Sequence, residues 1–505
     1  MWTGDDLQRL VSRELSDYRL LVVSNRQPYV FNIDESGNLH GEMPPGGLTA
    51  AIDPLMRACG GTWIAQSSSD ADRAAMDQHG RIPVPQDSPA YRMRLLSLTE
   101  EENNGYYYGF SNEGLWPLCH IAYTEPLFDS EHYGFYQSVN RRFADLVLDE
   151  IDDDPAIVLI QDYHLALLPR YIREVNQDAI IGQFWHIPWP NPDILRICPW
   201  QEEILDGMLG NDLLGFHLSG DCQNFINCVD ANLDAQVDPD YGLVDYRNET
   251  TLIRPFPISI DFDGIDTEAR TPEVEAEMFR LSRELGLNRG RILGLGIDRQ
   301  DYTKGIPHRL RAVERLLEKW PQYRGRLVFL QAGATSRTNI DSYMQLTIDI
   351  ESIVNRINQR FGYDGWQPIL YWPTSLPSAT FSALRRLASF CAESSLHDGM
   401  NLVAKEYVAS RVDEDGVLIL SAFAGAAQEL TGSLIINPYA TEQFADAIHQ
   451  ALNMSDLERR MRMRQMRNTV QENNIYKWAG RIMMHLMQAS TPDHSRLAAT
   501  IASTA

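Results

Sequence analysis

The ten residues from Gly296 to Gly305, Gly-Ile-Asp-Arg-Gln-Asp-Tyr-Thr-Lys-Gly, combine types that could do chemistry. An apolar run, Ile292 to Ile297, reads as a buried strand. It leads into Arg299, and Lys304 follows at the mouth of the next helix. Two cations at the carboxyl end of a parallel strand, beside a helix start, suit a diphosphate. The helix terminus offers N–H groups and partial positive charge, and the side chains add full charges. The same spacing fits a solvated loop with two surface cations, and this segment alone does not separate the two.

Other strand ends carry polar residues of the same kind. Val23-Ser24-Asn25-Arg26 ends the first strand, and Pro44-Pro45-Gly46-Gly47-Leu48 then opens a helix. Paired glycines there allow close backbone approach to a phosphate or sugar, or make a plain turn. Asp162-Tyr163-His164 follows a strand, as does His186 in the stiff loop Trp185-His186-Ile187-Pro188-Trp189-Pro190. Each histidine could equally be structural, and Asp162 could cap a helix. Gly333-Ala334-Thr335-Ser336-Arg337 places a guanidinium where it could bind a phosphate bidentately or sit on the surface. The block Leu396 to Tyr407 turns at Asp398-Gly399-Met400-Asn401 into a helix carrying Glu406. Asp398 could accept hydrogen bonds from a sugar ring and Glu406 from a ribose, or both could be first-turn acids. Together these are four cations (Arg26, Arg299, Lys304, Arg337) and three acids (Asp162, Asp398, Glu406) at expected strand ends. A cleft for two phosphorylated sugars needs such a set.

The elements that must position them alternate strand and helix for most of the chain. Strands are expected at Arg19–Ser24, Thr62–Gln66, Ala156–Gln161, Ile180–Trp185 and Asp212–Phe216. A second series is expected at Ile292–Ile297, Leu327–Ala332, Pro368–Trp372, Val417–Ser421 and Ser433–Asn437. Helical patterns fall between them, among them Leu48–Ala58, Tyr133–Glu150, Arg309–Lys319, Asp341–Gln359 and Ala440–Asn453. Continuous apolar strands between amphipathic helices imply parallel sheets covered on both faces. Two series imply two doubly wound domains, with a break near Pro255–Asp263. Ligands bind beyond the carboxyl ends of such strands. Leu457–Gln488 is expected to pack across the outside of both domains, and the last dozen residues to fray.

Bulk properties exclude several classes. At 505 residues, two or three domains are expected. A formal charge of −25 disfavours nucleic acid and anionic membranes as partners. No apolar run approaches ~20 residues, so no membrane span is expected. The start lacks a basic stretch followed by an apolar one, so no signal peptide is expected. Six dispersed cysteines without a C-x-x-C pair suit free thiols in a reducing cytoplasm. Twelve histidines show no zinc-type spacing.

The motifs follow one another in a familiar order. They are Ser24-Asn25-Arg26, Gly46-Gly47, Tyr107 to Pro117, Asp162-Tyr163-His164, His186-Ile187-Pro188, Asp301 to Gly305, Thr335-Ser336-Arg337, Asp398 to Tyr407 and Phe423 to Ala427. From about residue 19 to 485 the chain resembles the trehalose-6-phosphate synthases of glycosyltransferase family 20. The resemblance implies an α/β GT-B fold: two Rossmann-like doubly wound domains facing across a cleft. It implies an acceptor-binding domain over 1–258, a nucleotide-sugar-binding domain over 259–475, and a helix and tail over 476–505 that pack back towards the first domain. It implies a retaining transfer of glucose from a nucleotide-glucose, UDP-glucose above all, to glucose 6-phosphate.

Carried over by position, Gly46, Gly47, Arg299, Lys304, Leu376, Asp398, Leu402, Val403 and Glu406 would hold the donor. Arg26, Tyr107, Trp116, Asp162 and Arg337 would surround the acceptor. Arg299, Lys304, His186 and Asp398 would carry the chemistry. No cofactor or metal is expected, and a homo-oligomer, dimer or tetramer, is. Three departures leave the donor open among UDP, GDP and ADP: His397 stands where the family usually has Arg, Leu376 where an aromatic residue can meet the base, and the Gln27-Pro28-Tyr29 loop is long. Two alternatives stand beside this reading: a glucosylglycerol-phosphate synthase using glycerol 3-phosphate, and a non-catalytic sugar-phosphate sensor. No Asp-x-Asp phosphatase signature follows residue 485.

Overall fold

The computed structural model describes residues 2–489 except 35, 37, 44–46, 68 and 153, and leaves out the side chains of 47, 48, 50 and 51. Two compact units form. One comprises Met1–Ile258 and the chain from Ile475; the other is Ser259–Asn474.

The first unit is built on β1 (Arg19–Val23), β2 (Thr62–Gln66), β3 (Tyr91–Leu96), β4 (Ala156–Gln161), β5 (Ile180–Phe184), β6 (Leu213–Phe216) and β7 (Glu249–Pro255). They pair in parallel in the order β7-β6-β5-β4-β1-β2-β3. Antiparallel strands extend both edges, making ten strands among the described residues. Every residue of β4 and β5 is buried, as expected for strands covered on both faces.

The second unit carries β8 (Ile292–Ile297), β9 (Leu327–Ala332), β10 (Ile369–Trp372), β11 (Phe390–Glu393), β12 (Val417–Ser421) and β13 (Leu434–Ile436). All are parallel, in the order β10-β9-β8-β11-β12-β13. The central strand β8 therefore has both neighbours' carboxyl ends beside its own. Side chains such as Leu310, Leu316, Phe329, Ile350 and Ile419 are completely buried around this sheet. Each stabilises the fold by about 1.5–3 kcal/mol relative to exposure.

The helices used below are α1 (Gly4–Glu14), α2 (Gly47–Cys59), α3 (Ser130–Ile151), α4 (Ile306–Lys319), α5 (Asp341–Phe361), α6 (Leu402–Ser410), α7 (Asp456–Glu472) and α8 (Ile475–Ala489). The expected single C-terminal region is divided between the units. Helix α7 packs on α6 and β12 in the second unit. Helix α8 belongs to the first: Trp478 Nε1 donates to the Phe256 carbonyl at 3.2 Å, and Leu486 covers Gly182 of β5. The last dozen residues, expected to fray, lie outside the described residues.

Two elements differ from expectation for physical reasons. Strand β11 has four residues and ends on Glu393, so its apolar signal is short. Asn104–Leu115 forms a twelve-residue π-helical stretch between Glu100–Asn103 and Trp116–His120. Two of its three glycines, Gly105 and Gly109, face Phe135 and His132 of α3 too closely for any Cβ. Such helices occur mostly as single-turn bulges, frequently at functional sites.

Candidate active site

In the second unit, β8 runs out into Asp298, Arg299, Gln300 and Asp301, then a single 3-10 turn, Tyr302–Lys304, and α4. Asp301 caps the turn, accepting from the Thr303 N–H at 3.0 Å. Gly305 must be glycine: its φ is +63°, and a Cβ would strike the Ser394 carbonyl. Gly333, after β9, has φ +133° and would strike the Asp298 carbonyl in the same way. These close approaches bring the ends of β8, β9 and β11 together.

At this meeting point the Lys304 Nζ donates to Asp398 Oδ2 at 2.5 Å. Burial opposes the ammonium charge, but Asp398 and Asp298 outweigh it and hold Lys304 protonated above its ordinary range. Asp398 also accepts from Ser395 Oγ at 3.0 Å and Asn401 Nδ2 at 3.4 Å. Asn401, at φ +76°, caps α6 by accepting from the Ala404 N–H at 2.9 Å. So α6 is fixed to the loop bearing Asp398. Leu402, Val403 and Glu406 lie half-buried along it. Glu406 is paired with Arg385. Arg299, two residues past β8, is exposed, and its charge acts on Asp301.

Arg337 is not a loose surface cation. At φ +47° it lies 3.4 Å from Asp301 Oδ2 and donates to the Tyr343 hydroxyl, which in turn donates to Asp301 at 3.1 Å. Burial alone would raise the Asp301 carboxyl, yet Arg337, Arg299 and Lys304 hold it below its usual range. Leu376 stands apart from this group, lining a cavity of about 890 Å³ with Trp372, Pro373 and Thr380.

In the first unit, Asp162 ends β4 at φ +73°, an uncommon conformation for a residue with a side chain. Its Oδ1 accepts the N–H groups of Tyr163 at 3.0 Å and His186 at 3.2 Å, tying the ends of β4 and β5 together. His186 Nε2 lies 2.8 Å from Gln161 Oε1. An amide oxygen only accepts, so Nε2 carries the hydrogen. Burial, and then His217, keep the imidazole neutral. Tyr107, on the π-helical stretch, stacks on His164 with ring centroids 5.6 Å apart; Trp116 packs against Tyr163 at 5.7 Å. The Tyr163 hydroxyl donates to Asn112, whose amide donates to the Tyr107 carbonyl at 2.6 Å. Tyr107, Trp116, Asp162 and His186 are thus joined through one network. Arg26 is exposed at the end of β1. Gly47 begins α2, while Gly46 lies outside the described residues.

Further groups support this set. Asp298, Asp301 and Asn401 lie inside the motifs quoted above without a role assigned to them, whereas Tyr343, Ser395, Gln161, Arg309 and Glu393 lie outside those motifs. Among the described residues no group of three His, Cys, Asp or Glu side chains is placed to hold a metal ion.

The model of glycosyltransferase family 20 matches residues 18–488. The chain is 37% identical over 483 residues to a trehalose-6-phosphate synthase of Mycobacterium avium, covering 94% of this chain and 96% of that one. It superposes with a TM-score of 0.83 and 32% identity on an E. coli structure described as trehalose-6-phosphate bound with UDP-2-fluoro glucose, covering 93% of this chain and 99% of that one. A UDP-forming α,α-trehalose-phosphate synthase of Burkholderia xenovorans, in complex with glucose-6-phosphate, gives a TM-score of 0.82 at 31% identity, covering 93% and 100%.

Proposed function

Because the chain belongs to glycosyltransferase family 20, with two Rossmann-like domains of the GT-B type, we propose that it transfers glucose from UDP-glucose to glucose 6-phosphate. The products are α,α-trehalose 6-phosphate and UDP. The observation that carries this reading is the meeting of Lys304 and Asp398 at the ends of β8 and β11, with Arg299 two residues past β8. That is a place where a diphosphate gains two cations while the sugar it carries meets a carboxylate. Relatives bound with UDP-2-fluoro glucose and with glucose-6-phosphate support the choice of donor and acceptor.

Arg299 and Lys304 take the β-phosphate of the donor. Lys304 has one carboxylate partner at 2.5 Å and other protons to offer. Leu402, Val403 and Glu406 hold the nucleoside, Gly46 and Gly47 approach the donor through backbone, and Leu376 borders the base. Arg26, Tyr107, Trp116, Asp162 and Arg337 hold the acceptor, and neutral His186 stands by the reacting carbon. In the transfer, the bond from the anomeric carbon to the phosphate oxygen breaks and negative charge grows on that oxygen. Preorganised cations stabilise it by about 3–4 kcal/mol per well-placed donor. The anomeric hydroxyl of glucose 6-phosphate attacks from the same face and passes its proton to the leaving phosphate, so configuration is retained. Orientation of the two bound sugars supplies much of the remaining acceleration. All six cysteines are free thiols, which supports a reducing, cytoplasmic setting.

The test is nucleotide release from UDP-, GDP- and ADP-glucose, each against glucose 6-phosphate and glycerol 3-phosphate. Turnover is expected with UDP-glucose and glucose 6-phosphate. Turnover with glycerol 3-phosphate alone would move the chain to the glucosylglycerol-phosphate reading, and silence with every pair would leave a sensor.

A further inference from the structure

Behind the proposed diphosphate loop lies a cluster of ionisable side chains that the transfer does not use. Arg309, in the first turn of α4, is completely buried. Its Nη2 donates to Asp298 Oδ2 at 2.7 Å, its Nη1 to Gln331 Oε1 at 3.0 Å, and its Nε to Ser394 Oγ at 3.1 Å. One guanidinium therefore clamps the ends of β8, β9 and β11. Glu393, also completely buried, places Oε2 at 3.6 Å from the same Nη2. Asp298 Oδ2 and Glu393 Oε2 thus flank one guanidinium nitrogen, and the Glu393 carboxyl otherwise meets Cys391 Sγ at 3.5 Å and Asn401 Nδ2 at 3.5 Å.

Charge counting shows what this packing requires. Asp298, Glu393 and Asp398 are three carboxyls; Arg309 and Lys304 are the two cations against them. With all five ionised, a net negative charge would remain buried, which low dielectric disfavours strongly. Two carboxyls flanking one guanidinium nitrogen can hydrogen-bond to each other only if one of them keeps its proton. Burial raises both Asp298 and Glu393, and Glu393 further, because Asp298 adds repulsion that Arg309 does not cancel.

We propose that Glu393 is a neutral carboxylic acid that donates its proton to Asp298, and that this pair and Arg309 act as a positioning device beneath Arg299 and Lys304. The device keeps the floor of the diphosphate loop at zero net charge, so that no further carboxylate competes with the donor for Lys304. It rests on the reading that this loop holds the donor diphosphate.

The proton is read directly on the full chain by infrared spectroscopy of the carboxylic-acid C=O stretch. The wild type is expected to show a band that Glu393→Gln removes. Asp298→Asn is expected to remove it as well, because Glu393 then ionises to balance Arg309. A spectrum that Glu393→Gln leaves unchanged overturns the neutral acid, and a band that survives Asp298→Asn overturns the charge balance. For positioning, Arg309→Met is expected to raise the donor KM by about tenfold or more while the acceptor KM moves less than about twofold. A loss of thermal stability with both constants unchanged would make Arg309 mere scaffolding. Lys304→Ala separates the two ideas: kcat and donor KM both within about threefold of wild type there defeat the diphosphate reading while leaving the infrared result standing.

Discussion

Lys304 shows how a single side chain is prepared for its task. Burial disfavours its charge, and Asp398 at 2.5 Å restores it. Arg337 is prepared similarly, through Asp301 and Tyr343. Arg337→Ala is expected to raise the acceptor KM about tenfold or more and the donor KM far less; equal effects on both would remove Arg337 from the acceptor phosphate. The same variant removes one of the three cations that hold Asp301, at a cost of about 1.5–3 kcal/mol, measurable by urea denaturation. The chemistry-bearing residues were legible because cations and carboxylates after apolar strands are conspicuous. Their supports were not. Tyr343 lies in the first turn of α5 and Gln161 inside a buried strand, and nothing in their local spacing marks them as partners of Arg337 and His186.

At the scale of elements, the long apolar strands were legible and the short or interrupted ones were not. Leu327–Ala332 is wholly buried and reads at once; Phe390–Glu393 is too short, and ends on a completely buried acid. The π-helical stretch Asn104–Leu115 has no helical hydrophobic period, so only its packing on α3 and the loop after β4 reveals it. The loop Trp185–Pro190 illustrates an element held by one buried acid. Asp221 Oδ1 accepts the Trp189 N–H at 3.1 Å, and burial pushes its carboxyl up to about 6. An unfolded Asp titrates near ~3.9, so between these values the folded state binds the extra proton. Stability contributed by this group is present below that window and falls as pH rises through it, by about 3 kcal/mol. Asp221→Asn does not titrate. Its stability relative to wild type, from urea midpoints, is expected to rise by about that amount from pH ~4 to pH ~7. A gap that stays constant with pH would show that Asp221 is not held protonated.

Over the whole molecule, the net charge of −25 opposes two anionic substrates. Raising ionic strength from ~0.01 M to ~0.15 M shortens the Debye length from about 30 Å to about 8 Å. This is expected to raise kcat/KM by about two- to threefold, as the distant repulsion is screened before the buried cations are. A steep fall would mean that local cations, not the global field, govern approach. Those cations carry the transfer chemistry, and steady-state kinetics of Lys304→Ala with UDP-glucose and glucose 6-phosphate tests their role. Lys304→Ala is expected to lose about 10²–10³ in kcat, with the acceptor KM within about twofold of wild type. A kcat within about threefold of wild type, with only thermal stability reduced, would contradict it and leave the Lys304–Asp398 pair a structural tie.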